Sequence, residues 1–114
     1  MGRSIPVSLS NGKSWPTKNQ AYEHFKEMLA RYIVGEQVSD AEDHSDLRAL
    51  LMVYDESVVE GQFTKAGSGI DYFEKGVDDQ HPGKTKCFYV VRTDGSRIDF
   101  SLKHALYAAA NRQA

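Results

Sequence analysis

The stretch from Cys87 to Ser101, Cys-Phe-Tyr-Val-Val-Arg-Thr-Asp-Gly-Ser-Arg-Ile-Asp-Phe-Ser, constrains the fold more than any other part of the chain. Two runs of strand-forming residues flank Asp94-Gly95, a dipeptide suited to a type I′ turn, whose two central residues need positive φ. A two-residue loop implies a register. Thr93 lies opposite Ser96, Arg92 opposite Arg97, Val91 opposite Ile98, Val90 opposite Asp99 and Tyr89 opposite Phe100, with alternate pairs on opposite faces. Tyr89, Val91, Ile98 and Phe100 then share one face with Cys87, while Phe88, Val90, Arg92, Arg97 and Asp99 share the other. Two arginines directly opposite each other repel unless an anion or a carboxylate sits between them. In this register the arginine face is therefore a candidate binding surface.

A chain of 114 residues fits one domain, residues 1–114, and can bury enough surface for a core without staples. Its single cysteine excludes an internal disulfide and a multi-cysteine zinc site, which fits a reducing compartment. No apolar run approaches a membrane span, and Met1-Gly2-Arg3-Ser4-Ile5-Pro6 reads as neither a signal peptide nor a transit peptide. The expected setting is cytoplasmic, with no membrane partner. A formal charge of −2 conceals two poles. Residues 1–40 carry +1, residues 41–79 carry −7 and residues 80–114 carry +4. Either the poles meet within the fold, or a basic face is left for a polyanion.

Ile5, Val7 and Leu9 alternate as a short strand that ends at Ser10-Asn11-Gly12. Thr17 with Gln20 forms a capping-box pattern, so a helix is expected from about Lys18, with Ala21, Phe25, Met28, Leu29 and Tyr32 facing the core and Gly35 as its C-cap. Ser45 or Asp43 can cap a second helix, with a stripe of Leu47, Leu50, Leu51 and Tyr54, ending near Asp55. Ile70 to Lys75 has strand character with a broken two-residue period, which predicts a bulge or an edge. Ser101 can cap a last helix containing Leu102, Ala105, Leu106 and Ala109. The order lacks a βαβα rhythm and shows no repeat. The expected class is α+β: a small, mainly antiparallel sheet that includes the C-terminal hairpin, packed against about three helices.

No catalytic motif emerges. The four histidines, His24, His44, His81 and His104, lack ligand spacing, and no metal or cofactor is expected. Asp40, Glu42, Asp43 and Asp46 lack the pattern of a calcium loop and read as a solvated cap region. Lys65-Ala66-Gly67-Ser68-Gly69 offers a lysine and exposed amides but not the spacing of a P-loop, leaving either a glycine turn or an anion cradle. In the functional reading of the hairpin, Arg92 and Arg97 reach phosphates. Phe88, with Tyr72 or Phe73 on a neighbouring strand, offers a stacking surface, and Lys84, Lys86 and Lys103 extend the basic rim. In the bland reading, Asp99 and the acidic middle segment neutralise the arginines.

Four pieces of the chain together resemble the DCL family, named for the plant "defective chloroplasts and leaves" protein. They are Trp15 to Tyr32 (WPTKNQAYEHFKEMLARY), Asp46 to Leu51 (DLRALL), Lys65 to Phe73 (KAGSGIDYF) and the CFYVVRTDGSRIDFS block. The resemblance implies a small α+β domain, found alone in bacteria, in plastid proteins linked to ribosomal RNA maturation, and as a C-terminal module of plant-specific RNA polymerase subunits. It implies an RNA context and no reaction. It carries over onto Lys65, Gly67 and Gly69, and onto Arg92, Asp94, Gly95, Asp99, Phe100 and Ser101. Tyr54-Asp55 replaces the family's His-Pro, and Ala105 stands where a cysteine is common. The function expected is a non-enzymatic RNA-associated module, assisting ribosomal RNA processing or ribosome assembly. The alternatives are a protein–protein adaptor, and a hydrolase that would need Asp71, Asp99 and a histidine to converge.

Overall fold

The computed structural model describes residues 6–56, 67–78 and 85–113. In chain order its elements are β1 (Val7–Ser8), β2 (Ser14–Trp15), α1 (Lys18–Ala30), α2 (Ala41–Glu56), β3 (Ile70–Asp78), β4 (Thr85–Arg92), β5 (Arg97–Phe100) and α3 (Leu102–Gln113). β1 and β2 form a two-stranded antiparallel ribbon, and β3-β4-β5 form an antiparallel sheet. The architecture is α+β as expected. The register of β3 on β4 shifts between Ile70 and Tyr72, where the broken period predicted a bulge. No helix among the described residues is long and apolar enough to cross a membrane.

Local chemistry sets the helix boundaries. The Thr17 hydroxyl accepts the Gln20 amide at 3.1 Å and starts α1, and the Ser101 hydroxyl accepts the His104 amide at 3.3 Å and starts α3. α2 begins earlier than expected, because Asp40 is the residue whose carboxylate takes the Asp43 amide at 2.9 Å. α1 also stops short of Gly35, ending at Ala30. Beyond it the backbone turns to pair with the edge of β3: Gly35 donates to Lys75 O at 2.8 Å, Lys75 to Glu36 O at 3.0 Å, and Val38 to Phe73 O at 2.8 Å. An open strand edge exposes unpaired amides, and these contacts with the α1–α2 connection cover it.

The core lies between the helices and one face of the three-stranded sheet. Phe25, Met28, Leu47, Leu50, Leu51, Phe73, Phe88, Val90, Phe100 and Leu106 are all buried there. Ile5 lies outside the described residues. The strand read from Ile5 to Leu9 is therefore represented by Val7–Ser8, followed by a turn in which Leu9 donates to Lys13 O at 2.8 Å.

The acidic cluster in α2 is not a solvated cap region. Asp40 and Glu42 are exposed, but Asp43 and Asp46 are buried. Arg31 reaches the Asp43 carboxylate at 2.7 and 2.8 Å, and Tyr32 donates to it at 2.7 Å. Burial first, and then this donation to Asp43, push the Tyr32 phenol up to about 12. Asp46 accepts from Asn11 at 2.7 Å, lies 3.0 Å from His24 Nε2 and lies 3.5 Å from Lys13 Nζ. Buried carboxylates need partners of this kind. Helical spacing turns both residues inward, where side chains from the N-terminal third of the chain meet them.

Candidate nucleic-acid interface

The hairpin does not present its two arginines together. β4 and β5 pair Val91 with Arg97, Val90 with Ile98, Tyr89 with Asp99 and Phe88 with Phe100, one residue away from the register of a two-residue loop. The loop has three residues, Thr93-Asp94-Gly95, closed by Arg92 N–H to Ser96 O at 2.8 Å and Gly95 N–H to Arg92 O at 2.9 Å. Gly95 takes φ +88°, as a three-residue hairpin loop requires of its last position. The Asp94 carboxylate accepts from Ser96 through both hydroxyl and amide, at 2.6 and 3.0 Å, and these bonds hold its pKa below the usual carboxylate range. A one-residue slip exchanges faces. Phe88 and Val90 therefore point into the core, both with zero exposure, and Phe88 cannot stack on a base.

Arg92 lies on the core side of the sheet, at its rim. Its side chain packs across the Gly67 turn, where a Cβ would stand 2.9 Å from Arg92 Nε. Gly67 itself has φ +51°, so glycine is needed there for both backbone and space. Thr93 closes the same junction through its amide to Gly69 O at 2.9 Å and its hydroxyl to Ser68 O at 3.2 Å. The residues that carry the DCL resemblance at Gly67, Gly69 and Arg92 do meet, but as a packed joint between loop and hairpin.

Arg97 lies on the opposite face, paired with Glu74 at 2.8 Å and stacked 3.9 Å over the Tyr89 ring. Tyr89 covers Gly76, where a Cβ would come within 2.5 Å of the ring. The acidic middle segment thus claims this arginine through Glu74. Lys86 is exposed at the start of β4, and Lys65 and Lys84 lie outside the described residues. Asp71 is exposed, Asp99 is half-buried opposite Tyr89, and His44 stands elsewhere, against Phe73 with ring centroids 5.4 Å apart. Burial, and then the nearby Arg48, push His44 below the ordinary histidine value. Among the described residues no group of three or more His, Cys, Asp or Glu is arranged to hold a metal ion.

Lys103 belongs to a different surface. A groove of about 440 Å³ runs between α1 and α3, lined by Lys18, Asn19, Tyr22, Lys103, His104, Leu106 and Tyr107. Lys18 Nζ lies 5.5 Å from the centre of the Tyr107 ring, and Lys103 Nζ lies 5.9 Å from that of Tyr22. Lys26 covers Tyr22 as well, at 5.4 Å. Tyr107 is 60% exposed, whereas Tyr22 is half-buried. Among the described residues no carboxylate lines the groove, and none pairs with Lys18 or Lys103.

The helix ends add to this positive potential. α2 has Glu42 and Asp43 in its first turn, but α1 and α3 have no acidic residue there and carry Lys18 and Lys103 instead. A cation at a helix N-terminus opposes the macrodipole at a cost of roughly 0.3–1 kcal/mol. The groove therefore combines fixed positive charge, uncompensated helix dipoles and aromatic faces, a set that can take phosphates and flat rings.

Sequence reasoning reached Lys103 and missed Lys18, Tyr22 and Tyr107. A local signal was present: each of the two capped helix starts is followed by Lys-x-x-x-Tyr, Lys18 to Tyr22 and Lys103 to Tyr107. Such i, i+4 pairs share a helix face. That the two faces meet is a tertiary fact.

A family model described as a protein of unknown function (DUF3223) matches residues 26–106. The chain is also similar to the solution NMR structure of an uncharacterized protein from Rhodospirillum rubrum, at 31% identity and a TM-score of 0.72, over 92% of this chain and 91% of that one. The comparison with curated proteins found no match. Lys103 falls inside the family match, whereas Lys18, Tyr22 and Tyr107 fall outside it, so the complete groove is read from this chain alone. With the match running from the latter half of α1 to the middle of α3, the chain belongs to the DUF3223 family.

Proposed function

We propose that the domain is a non-enzymatic RNA-associated module that holds RNA in the groove between α1 and α3. The observation that carries this reading is the groove's lining, two lysines with no carboxylate partner among the described residues beside two tyrosines. Basic side chains interleaved with aromatic rings are the common equipment of RNA-binding surfaces. Energetics favour exchange of the present contacts for RNA: an exposed cation–π pair is worth about 0.5–1 kcal/mol, against about 1–3 kcal/mol for a base stacked on an aromatic ring. Phosphate contacts add affinity through counterion release. The resemblance to the DCL family supports an RNA context and narrows the role to ribosomal RNA processing or ribosome assembly in the cytoplasm. The reading moves the contact surface from the hairpin to the helices, because Arg97 is claimed by Glu74 and Phe88 is buried.

The test is binding of a labelled single-stranded RNA pool across a salt series. A Lys18→Ala/Lys103→Ala variant, both positions being exposed, is expected to keep the wild-type melting midpoint and to lose roughly tenfold or more in affinity. Its log K against log salt slope should fall by about 1.4, two contacts at about 0.7 each for a single strand. Binding unchanged in the variant would remove the groove from the account. Absence of RNA binding altogether would favour the adaptor reading instead.

A further inference from the structure

We propose that the groove is a two-nucleotide seat for an unpaired strand, an inference that rests on the RNA reading and specifies its substrate. The geometry behind it is reciprocal. Lys18 in the first turn of α1 lies over Tyr107 in the second turn of α3, and Lys103 in the first turn of α3 lies over Tyr22 in the second turn of α1. The two helices thus cross this surface in opposite directions, each contributing one Lys-x-x-x-Tyr face. The result is two ring-and-ammonium pairs of the same composition, side by side in one groove of about 440 Å³, within the range of about 300–1,000 Å³ usual for small-ligand sites.

In the free protein Lys18 covers Tyr107, whereas Lys103 from the other helix and Lys26 from its own both cover Tyr22. A backbone phosphate draws the covering ammonium groups off a ring, and the vacated face accepts the adjacent base. Two lysines and two rings satisfy two consecutive nucleotides. An unpaired strand offers free base faces along its length, whereas a duplex keeps its interior bases stacked and presents phosphates, 2′-hydroxyls and groove edges. Stacking on tyrosine is tolerant of base identity, so the seat selects strandedness rather than sequence. Tyr107, the more exposed ring, is the entry position. The Leu106 side chain forms part of the wall, and Asn19 and His104 supply the remaining polar edges.

The experiment compares oligouridines of one to six nucleotides with a blunt RNA duplex, using the full chain and its Tyr107→Ala, Tyr107→Phe and Lys18→Ala/Lys103→Ala variants. Affinity is expected to rise at least tenfold from one to two nucleotides and then to climb slowly. Tyr107→Ala should lose about tenfold on single strands and leave duplex binding unchanged, while Tyr107→Phe, which keeps the ring, should bind as wild type. Because Tyr107 is largely exposed and its variants lose at most one weak cation–π contact, they should stay folded and melt within several degrees of wild type. Equal affinity for duplex and single strand, or a silent Tyr107→Ala alongside an impaired lysine variant, would overturn the two-nucleotide seat and leave the RNA reading standing. No binding of any RNA would overturn both.

Discussion

Replacement of Phe88 by alanine is expected to destabilise the domain by about 3–5 kcal/mol, the range for truncating a fully buried phenylalanine. Phe88 has no exposed surface and sits opposite Phe100 in the β4–β5 ladder, within the cluster that also contains Phe73 and Val90. Removing the ring takes away its transfer free energy and leaves a cavity that the sheet and helices cannot close without moving. At several degrees per kcal/mol for a domain of this size, the thermal midpoint should fall by roughly 12–20 °C. In the register of a two-residue loop, Phe88 would stand on the outer face, where its loss would cost little stability and would weaken stacking on RNA. Urea or thermal unfolding therefore discriminates between the two registers. A variant that melts as wild type would contradict the observed pairing.

Asp46→Ala should have the second largest effect, about 2–3 kcal/mol. The carboxylate is 1% exposed and joins three elements: Asn11 and Lys13 from the β1–β2 connection, His24 from α1, and α2 itself. Trp15 lies 5.0 Å from the His24 ring, so the same hub seats the N-terminal ribbon against α1. Breaking a fully buried ion pair costs about 3–5 kcal/mol, because a charge is stranded in low dielectric. Here the cost is lower, since Lys13 and His24 are about a third exposed and can return to water. Asn11→Ala, which removes one charge-assisted hydrogen bond, should cost about 1.5–3 kcal/mol less the part regained through solvent. Urea denaturation of both variants checks the ranking. An Asp46→Ala variant within about 0.5 kcal/mol of wild type would show that the hub contributes no net stability, as exposed pairs often do not.

The helices were legible because their signals are local. Thr17 and Ser101 act as the caps their sequence context implies, and the apolar stripes of α1 and α2 face the core as their spacing predicts. The hairpin was legible as a hairpin but not in its register. Asp94-Gly95 fits both a two-residue loop and the last two positions of a three-residue loop, and the Asp94–Ser96 hydrogen bonds stabilise the second. Periodicity could not arbitrate, because Cys87-Phe88-Tyr89-Val90-Val91 is apolar on both faces. That ambiguity misplaced Phe88 and joined two arginines that stand on opposite faces. The inward turn of Asp43 and Asp46 was hidden for a different reason. Their partners Arg31, Tyr32, Asn11, Lys13 and His24 come from more than ten residues away, and charge density alone reads as solvent exposure. The groove likewise depends on α1 meeting α3, a contact between the two ends of the chain.

The most direct measurement is a titration of the isotopically labelled protein with a short unpaired oligouridine, followed by amide and side-chain chemical shifts. Saturable changes confined to Lys18–Tyr22 and Lys103–Tyr107 are expected, with the Arg92–Arg97 hairpin unmoved. Changes centred on the hairpin, or none at concentrations that saturate the wild-type pool assay, would contradict the assignment of the α1–α3 groove as the RNA contact.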